Sequence, residues 1–455
     1  MPDTIAAIAT IQAPSAIGIV RLTGPDTRRI LDGVFAPANG RPMSAQTPRK
    51  LVFGRALDRS GGVIDEALAV LFPGPNSYTG EDCAEIHCHG SPVVLDEVLA
   101  AAFARGARQA RGGEFTQRAF LSGRMDLIQA ESVADLIDAE SAGAARNAVG
   151  QLQGRMSRSV GGIYDALMDV VSRFYAIVDY PDEEIEPLQQ AQIEQTLAES
   201  AERLDALLAT FSRGRLLKSG VPAVILGKPN AGKSSLLNAL LGYDRAIVTD
   251  IAGTTRDTVE EKVLVGSVLL RLCDTAGIRD AADTVERLGV ERAQQAAQRA
   301  ELALLVLDGS APLTREDEEA IAAARRARRM LVLVNKADLP QVLDTAALRV
   351  RFGEVIPLSA RSGAGVDALC RAVEELFAGG ETPRGELLTN ARQAESTQRA
   401  LDAVRRAEQA LRSGLSPDAV LTDAEEALEA LAEFSGKRVR DDLVATIFSR
   451  FCVGK

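Results

Sequence analysis

Gly227-Lys228-Pro229-Asn230-Ala231-Gly232-Lys233-Ser234 is a glycine-rich segment with a lysine and a serine at its end. An apolar run suited to a buried parallel strand, Ala223 to Leu226, precedes it, and leucines along one helical face follow it. This order of strand, glycine-rich loop and helix is typical of a phosphate-binding loop, where backbone N–H groups and the helix dipole meet an anion. Lys233 adds a full charge for the terminal phosphates, and the Ser234 hydroxyl can ligate Mg²⁺. The stretch therefore predicts a nucleoside triphosphate as the ligand.

A second motif, Asn335-Lys336-Ala337-Asp338, predicts which base is bound. It follows the apolar run Met330 to Val334, so we expect it at the carboxyl end of another parallel strand, where doubly wound sheets bind ligands. The Asp338 carboxylate can accept from the ring N–H and the exocyclic amine of guanine, and adenine does not offer this pair of donors. Ser359 and Ala360 follow the next apolar run and supply further contacts. We expect guanine.

The third motif, Asp274-Thr275-Ala276-Gly277, follows an apolar run at Val268 to Cys273. It places a carboxylate near the metal and a glycine near the γ-phosphate. The next residue is Ile278, where Ras-like proteins have a glutamine that orients the attacking water. Because isoleucine cannot hold water by hydrogen bonds, another group must position the nucleophile. The nearby carboxylates are Asp280, Asp283, Glu286 and Glu291.

A threonine-rich segment, Thr249 to Asp257, lies between the phosphate loop and Asp274 and is expected to be a switch loop whose hydroxyl completes the Mg²⁺ shell. Two sources of positive charge for hydrolysis stay open. An arginine, Arg256 or Arg279, is close in sequence. A monovalent cation is the other source, held by backbone carbonyls and an amide such as that of Asn230.

Length, charge and cysteine usage limit the other possibilities. The chain has 455 residues, which suggests roughly three domains. Its formal charge of −11 argues against unaided, tight nucleic-acid binding, so a nucleic acid would arrive with a partner or on a local patch. Five scattered cysteines favour a reducing compartment, and we expect neither a signal peptide nor a membrane span. The simplest expectation is a cytoplasmic protein.

Changes in composition and in the apolar pattern divide the chain into four segments. Residues 1–118 mix short β-like runs with Pro/Gly turns and predict an α+β domain. Residues 119–215 and 381–455 are helical in texture and predict two parts of one helical domain. Strands and helices alternate in residues 216–380. The expected fold class is multidomain α/β, in which a P-loop GTPase domain with a doubly wound, mainly parallel sheet is inserted into the helical domain.

Local signals predict one helix of the last segment. Thr422 followed by Glu425 has the pattern of a capping box and predicts a helix start. Leu428, Leu431 and Phe434 continue the apolar face, and Gly436 predicts the helix end.

Taken together, the motifs resemble the MnmE (TrmE) family of tRNA modification GTPases. The GTPase motifs are shared by many translation GTPases, whereas three other segments are specific to this family. These segments are Phe72 to Asp82, Phe115 to Phe120 and the terminal Phe451-Cys452-Val453-Gly454-Lys455. The resemblance therefore extends from the amino-terminal segment to the end of the sequence.

The resemblance implies a homodimer that acts on tRNA with a flavin-dependent partner, MnmG, in a heterotetramer. The implied reaction adds an aminomethyl or carboxymethylaminomethyl group to carbon 5 of the wobble uridine of certain tRNAs. The one-carbon unit would come from 5-formyl- or 5,10-methylene-tetrahydrofolate bound by the amino-terminal domain, residues 1–118, which also dimerises. The resemblance also implies K⁺-stimulated GTP hydrolysis, in which GTPase domains meet across the dimer.

The resemblance also assigns site residues. Glu286 matches the family's water-orienting glutamate, which would answer the question raised by Ile278. The implied Mg²⁺ ligands are Ser234 and Thr255, and the implied K⁺ ligands are Asn230, Thr249, Ile251 and Thr254. The implied folate-binding residues are Arg21, Glu85, Lys455 and Arg124, the last standing where close relatives carry lysine. The GTP-binding residues are Asn230, Ala231, Gly232, Lys233, Ser234, Ser235, Thr249, Thr254, Thr255, Asp274, Thr275, Ala276, Gly277, Asn335, Lys336, Asp338, Ser359, Ala360 and Arg361.

Alternatives stay open for one residue and for the function. Cys452 is either a nucleophile for carbon 6 of uridine or a small residue packed into the terminal motif. The competing function is a ribosome-assembly or regulatory GTPase without folate chemistry. A cluster of metal-ligand residues predicts no metal site, because strand alternation turns one member away. Its members are Cys83, His87, Cys88 and His89.

Overall fold

Two compact units make up the chain. The computed structural model describes residues 3–179, 187–243, 261–273, 294–377, 385–436, 447–448, 451 and 454. The first unit comprises Met1–Ala134, Gln151–Leu204 and Glu395–Lys455, and the second comprises Asp135–Gly150 and Asp205–Ala394. Each unit is thus assembled from stretches that are distant in sequence. The four segment boundaries expected from the sequence stay a prediction.

A seven-stranded sheet forms the amino-terminal part of the first unit. Its strands are β1 (Ile5–Ile8), β2 (Ser15–Thr23), β3 (Phe35–Pro37), β4 (Val52–Leu57), β5 (Val63–Phe72), β6 (Cys83–Gly90) and β7 (Arg108–Gln109). They pair in the order β3-β4-β5-β6-β2-β1-β7, and all described pairs are antiparallel except β1 with β7. Helices α1 (Thr27–Val34) and α2 (Pro92–Ala104) pack on the face formed by alternate strand residues. The segment is α+β, as predicted.

Helices follow this sheet, and their apolar residues recur at helical spacing. The bounds are α3 (Glu114–Leu121), α4 (Leu127–Ile137), α5 (Ala142–Leu152), α6 (Arg155–Asp179), α7 (Pro187–Ala209) and α8 (Phe211–Ser219). In α6 the residues Val160, Ile163, Leu167, Val170 and Phe174 are spaced three or four apart, and all are buried. This periodicity gives the helix one apolar face. The helical texture predicted for this part of the chain is confirmed where the structure describes it.

The second unit contains a six-stranded sheet. Its strands are β8 (Val221–Leu226), β9 (Glu261–Val265), β10 (Val268–Leu272), β11 (Leu302–Asp308), β12 (Arg329–Asn335) and β13 (Val355–Pro357). The order is β13-β12-β11-β8-β10-β9, and only the edge strand β9 pairs antiparallel. β11 and β12 are buried almost throughout, as strands covered on both faces are.

Helices cover both faces of this second sheet. α9 (Lys233–Tyr243) and α12 (Val366–Phe377) share one apolar cluster with the sheet. α10 (Arg315–Ala324) and α11 (Thr345–Phe352) share the other. Leu304 faces the first cluster and Leu305 faces the second, so one strand supplies both layers. The doubly wound, mainly parallel sheet expected for a P-loop GTPase domain is confirmed.

Two further long helices, α13 (Ala391–Arg412) and α14 (Pro417–Ser435), follow the second sheet in the sequence. The start predicted for α14 is wrong. The helix begins at Ser416 and Pro417, because proline at the first helical position starts it more than a turn before Thr422. The Thr422 hydroxyl instead donates to the carbonyl of Asp418, at 2.8 Å. The end is as predicted, with Gly436 in the left-handed region at φ 84°.

No described helix has the length and apolar character needed to cross a membrane.

Gly214, in α8, lies where two distant stretches of the second unit touch. A Cβ added there would be 2.0 Å from the carbonyl oxygen of Leu388, and the nearby Thr210 hydroxyl accepts from the N–H of Leu388 at 3.1 Å. Glycine to alanine inside a helix ordinarily stabilises by up to about 1 kcal/mol. Here the backbone contact must open, so Gly214→Ala is expected to lower the free energy of unfolding by about 1–3 kcal/mol.

Gly161→Ala provides the matched control for this prediction. Gly161 lies inside α6, and a Cβ added there meets no other atom within 4 Å. We expect this variant to unfold at or above the wild-type temperature in thermal denaturation, whereas Gly214→Ala unfolds below it. Equal behaviour of the two variants would show that the close approach at Gly214 does not constrain the fold.

Candidate functional site

The phosphate loop connects β8 to α9 and depends on two glycines. Gly227 has φ 154° and Gly232 has φ 102°. A Cβ at Gly227 would lie 2.3 Å from the carbonyl oxygen of Val306, and one at Gly232 would lie 2.0 Å from Nδ2 of Asn335. Glycine is required at both positions because the loop lies directly against β11 and the end of β12.

Lys233 lies at the first position of α9, under the loop. Its Nζ donates to the carbonyls of Gly227 and Lys228, at 2.8 Å each. Burial lowers the pKa of the Lys233 ammonium, because the loop removes water from around the charge. A phosphate oxygen carries more negative charge than a carbonyl oxygen and makes the stronger hydrogen bond to an ammonium. The Lys233 ammonium can therefore exchange its carbonyl partners for phosphate.

The side-chain amide of Asn335 joins three loops. Asn335 ends β12 and is only 3% exposed. Its Nδ2 donates to the carbonyl of Ala231 at 2.8 Å, and its Oδ1 accepts from the N–H of Ala360 at 2.9 Å. Both bonds are buried, where an unpaired partner would be costly. The phosphate loop, the end of β12 and the turn after β13 are thereby held in one register.

The residues after Asn335 provide the expected base-recognition groups. Lys336 adopts φ 63°, and its Nζ lies 2.6 Å from Oδ2 of Asp308 at the end of β11. Asp338 is exposed at the site, and a hydrogen bond from the Ser359 side chain holds its pKa below the usual range. The carboxylate is thus an ionised acceptor at neutral pH. An acceptor of this kind matches the two adjacent N–H donors of guanine.

One cavity of about 510 Å³ brings these groups together. Its volume falls in the range of roughly 300–1,000 Å³ that small-molecule sites occupy. The lining residues are Pro229, Asn230, Gly232, Lys233, Ser234, Ser235, Asn335, Lys336, Asp338, Leu339, Ser359, Ala360 and Arg361. Ala231 is buried behind this lining and contributes its carbonyl to Asn335. The structure therefore gathers the described members of the predicted GTP-binding set around one space.

Two ion pairs that support the site were missed by the sequence analysis. Asp308 holds Lys336, and Asp317 holds Lys228 with Nζ 2.8 Å from Oδ2. Asp317 also caps α10 in a capping box with Thr314. That box, Thr314 followed by Asp317, was readable in the sequence. The pairing with Lys228 was not, because it depends on the order of the strands.

Several predicted site residues lie outside the described residues. They are Thr249, Ile251, Thr254, Thr255, Asp274, Thr275, Ala276, Gly277, Glu286, Cys452 and Lys455. Their roles stay predictions. Of the proposed cation ligands, Ser234 and Asn230 are described, and both line the cavity. A hydroxyl and an amide oxygen are hard donors of the kind that Mg²⁺ and K⁺ take, so these two residues fit the proposed ions.

A separate cluster in the first unit contains part of the predicted folate site. Arg21 on β2 and Glu85 on β6 face each other in register, and Nε of Arg21 donates to Oε1 of Glu85 at 3.0 Å. The Arg21 guanidinium lies over the rings of Tyr78 and Phe115, at 5.6 and 5.8 Å from their centroids. A planar cation between aromatic rings and a carboxylate is suited to a flat, polar heterocycle.

The terminal motif reaches this cluster through Gly454. Nη1 of Arg21 donates to the carbonyl of Gly454 at 3.4 Å. Gly454 has φ 98°, and a Cβ there would lie 2.3 Å from the carbonyl of Ile8. Arg124 has no described contact with Arg21, and its Nε donates to the carbonyl of Ser77 at 3.1 Å. The structure therefore brings together Arg21, Glu85 and Gly454, whereas Arg124 bonds to Ser77 in the neighbouring loop.

The histidine and cysteine cluster on β6 has other partners. His89 lies 2.8 Å from Asp65, and His87 lies 3.2 Å from Glu85. Cys83 and Cys88 are buried, and burial raises the pKa of the Cys88 thiol to about 12. Within the part of the chain that the structure describes, no three metal-ligand side chains are arranged to hold a metal ion.

Comparison with known proteins identifies the family. A model described as the GTP-binding protein TrmE N-terminus matches residues 4–124, and one described as the MnmE helical domain matches residues 127–452. The tRNA modification GTPase MnmE of Roseiflexus sp. (strain RS-1) is 45% identical, covering 100% of this chain and 99% of that protein. The protein of the same name from Symbiobacterium thermophilum is 42% identical with the same coverage. The resemblance predicted from the motifs is confirmed, and the chain belongs to the MnmE (TrmE) family of tRNA modification GTPases.

Proposed function

We propose that this chain hydrolyses GTP as part of an enzyme that modifies carbon 5 of the wobble uridine of certain tRNAs. It would work as a homodimer with a flavin-dependent partner and use a one-carbon unit from tetrahydrofolate. GTP binding is supported by one observation: Lys233 and Asp338 line the same cavity. The Asn335 amide joins the phosphate loop to the end of β12 beside that cavity. Family membership supports the tRNA half.

Binding of GTP follows from the groups around the cavity. Lys233 would exchange the carbonyls of Gly227 and Lys228 for the terminal phosphates, and Asp338 would accept from the guanine edge. The Ser234 hydroxyl would hold Mg²⁺, with Thr255 as its proposed partner. When bound, the metal supplies positive charge for the leaving phosphates. These residues bind and orient the substrate without a covalent intermediate.

Hydrolysis needs a group that holds the attacking water. Ile278 cannot do this, and we assign the role to Glu286, whose carboxylate can accept a hydrogen bond from water. Asn230, Thr249, Ile251 and Thr254 would surround a K⁺ ion that supplies charge in place of an arginine finger. The two GTPase domains of the dimer would meet when this ion occupies the switch loop, which would link hydrolysis to dimerisation.

The chemistry on tRNA is assigned to the first unit. Arg21, Glu85 and the nearby Tyr78 and Phe115 rings offer a charged and aromatic surface suited to the pterin ring of folate. Gly454 contacts Arg21, so the terminal motif that contains Cys452 and Lys455 would end beside the folate. Two alternatives stay open for Cys452, which is either a nucleophile or a packing residue. The cytoplasmic location stays a prediction.

Substitution of Glu286 tests the hydrolytic mechanism. We expect Glu286→Ala to bind GDP within about twofold of wild type, since the residue contacts only the attacking water. Its kcat for GTP hydrolysis should fall by about 10²-fold or more, which is the scale of a lost general base or water-orienting group. Fluorescent-nucleotide titration measures the binding, and phosphate release measures kcat. The same assay in Na⁺ at equal ionic strength should slow the wild type.

Glu291→Ala is a matched control, because it removes a carboxylate from the same segment. Unchanged turnover of Glu286→Ala, or an equal loss in Glu291→Ala, would remove Glu286 from the mechanism. Hydrolysis that is indifferent to K⁺ would remove the cation site and leave Arg256 or Arg279 as the source of charge.

Mass spectrometry of tRNA nucleosides tests the proposed function as a whole. A strain that lacks the gene is expected to lose the 5-substituted wobble uridine, and a plasmid carrying the wild-type gene should restore it. Glu286→Ala should restore little, because modification is coupled to hydrolysis in this proposal. A normal wobble-uridine profile in the deletion strain would contradict the proposal and favour a regulatory or ribosome-assembly GTPase.

A further inference from the structure

A basic segment stands out in an acidic chain. The formal charge of the whole chain is −11. Residues 325–351 nevertheless contain seven basic residues and two acidic ones, and four of the five residues 325–329 are arginine. Lys336 belongs to the nucleotide cavity, which leaves six arginines without a role in GTP binding. They are Arg325, Arg326, Arg328, Arg329, Arg349 and Arg351, here called the arginine patch.

The fold makes one surface from two separate parts of the sequence. Arg325 follows the end of α10, and Arg349 and Arg351 lie in the last turn of α11. The guanidinium groups of Arg325 and Arg351 both lie over the ring of Phe352, at 5.7 and 4.9 Å from its centroid. The ends of the two helices therefore meet at Phe352. All six arginines are exposed.

Carboxylates neutralise only part of this surface. Nη1 of Arg351 donates to Glu318 at 2.6 Å, and Nη1 of Arg328 lies 3.3 Å from Glu301. Arg329 donates to the carbonyl of Leu376 and lies over the ring of Phe377. Glu354 is an exposed acid two residues beyond α11. Three carboxylates thus stand against six guanidinium groups.

Three members of the patch have no carboxylate within ion-pair distance among the described residues. Arg325, Arg326 and Arg349 form no ion pair or side-chain hydrogen bond with any residue in the described ranges. A cation near a helix C-terminus stabilises the helix by about 0.3–1 kcal/mol, which explains one arginine at each of α10 and α11. It does not explain Arg326, which lies beyond α10, or the number of arginines. Their guanidinium forks are available to an external anion.

We propose that the arginine patch binds the phosphate backbone of the tRNA substrate, an inference that rests on the proposed function. Arginine presents paired N–H donors that match a phosphate group, and stacking on Phe352 limits the entropy lost when Arg325 and Arg351 bind. The patch lies at the amino end of β12, whereas the nucleotide cavity lies at its carboxyl end, roughly 20 Å away along the strand. RNA and GTP can therefore bind at the same time.

A triple variant, Arg325→Gln with Arg326→Gln and Arg349→Gln, tests this inference in the full chain. These residues have no ion-pair partner among the described residues, so their loss leaves no carboxylate unpaired. Binding of an unmodified tRNA transcript is measured at several salt concentrations. Loss of three phosphate contacts should weaken tRNA binding about tenfold or more near physiological salt. It should also reduce the slope of the logarithm of the association constant against the logarithm of the salt concentration by about 2–3. The kcat for GTP should be unchanged.

The matched control removes the same charge elsewhere, through Arg55→Gln, Arg59→Gln and Arg371→Gln, which are also exposed. It should keep the wild-type salt slope. Wild-type tRNA binding by the patch variant would overturn this inference, and so would an equal loss in the control. Normal tRNA binding with lost binding to the flavin-dependent partner would assign the patch to a protein surface instead. A wild-type chain that binds no tRNA would overturn this inference but not the proposed function, which a normal wobble-uridine profile in the deletion strain would overturn.

Discussion

One buried amide, that of Asn335, fixes the geometry on which the nucleotide site depends. It donates to the phosphate loop through Ala231 and accepts from the base-side turn through Ala360. A nucleotide must be held at both ends, and loops that move independently would have to be ordered when it binds. Because both hydrogen bonds are buried, the distance between the two ends of the site is set before binding. Gly232 is part of the same constraint, since the amide occupies the space of a Cβ.

The order of the parallel strands explains why this single contact is enough. β8, β11, β12 and β13 are neighbours, and their carboxyl ends supply the phosphate loop, Asp308, Asn335 and the turn at Ser359. Asp308, on the strand between the two halves of the site, holds Lys336. The opposite ends of the strands have no part in this site. The arginine patch lies there, at the amino ends of the strands and away from the nucleotide cavity.

Much of the nucleotide site could be predicted from the sequence because its motifs are local. The phosphate loop and the Asn335 motif each need only a strand and the residues after it, and both are found at strand ends. The partners of these motifs could not be predicted, because the contacts of Asn335 with Ala231 and of Asp317 with Lys228 cross between strands. Thr422 shows the limit of a local signal, since the stronger start at Ser416 and Pro417 lies nearby. The charge of −11 left either a partner or a local patch as the route for a nucleic acid. The position of such a patch could not be predicted, because Arg325 and Arg351 meet at Phe352 only in the folded domain.

The affinity of Asn335→Ala for GDP, compared with that of Asn147→Ala, measures how far the Asn335 amide sets the geometry of the nucleotide site. Asn147 is also buried and its amide accepts from the N–H of Gly385, but it does not line the nucleotide cavity. Removing the Asn335 amide leaves two buried backbone groups unpaired, at about 1–3 kcal/mol each, so GDP affinity should fall roughly 10-fold or more. Asn147→Ala should lose stability without losing GDP affinity. Equal GDP affinity in the two variants would contradict the claim that this amide sets the nucleotide site.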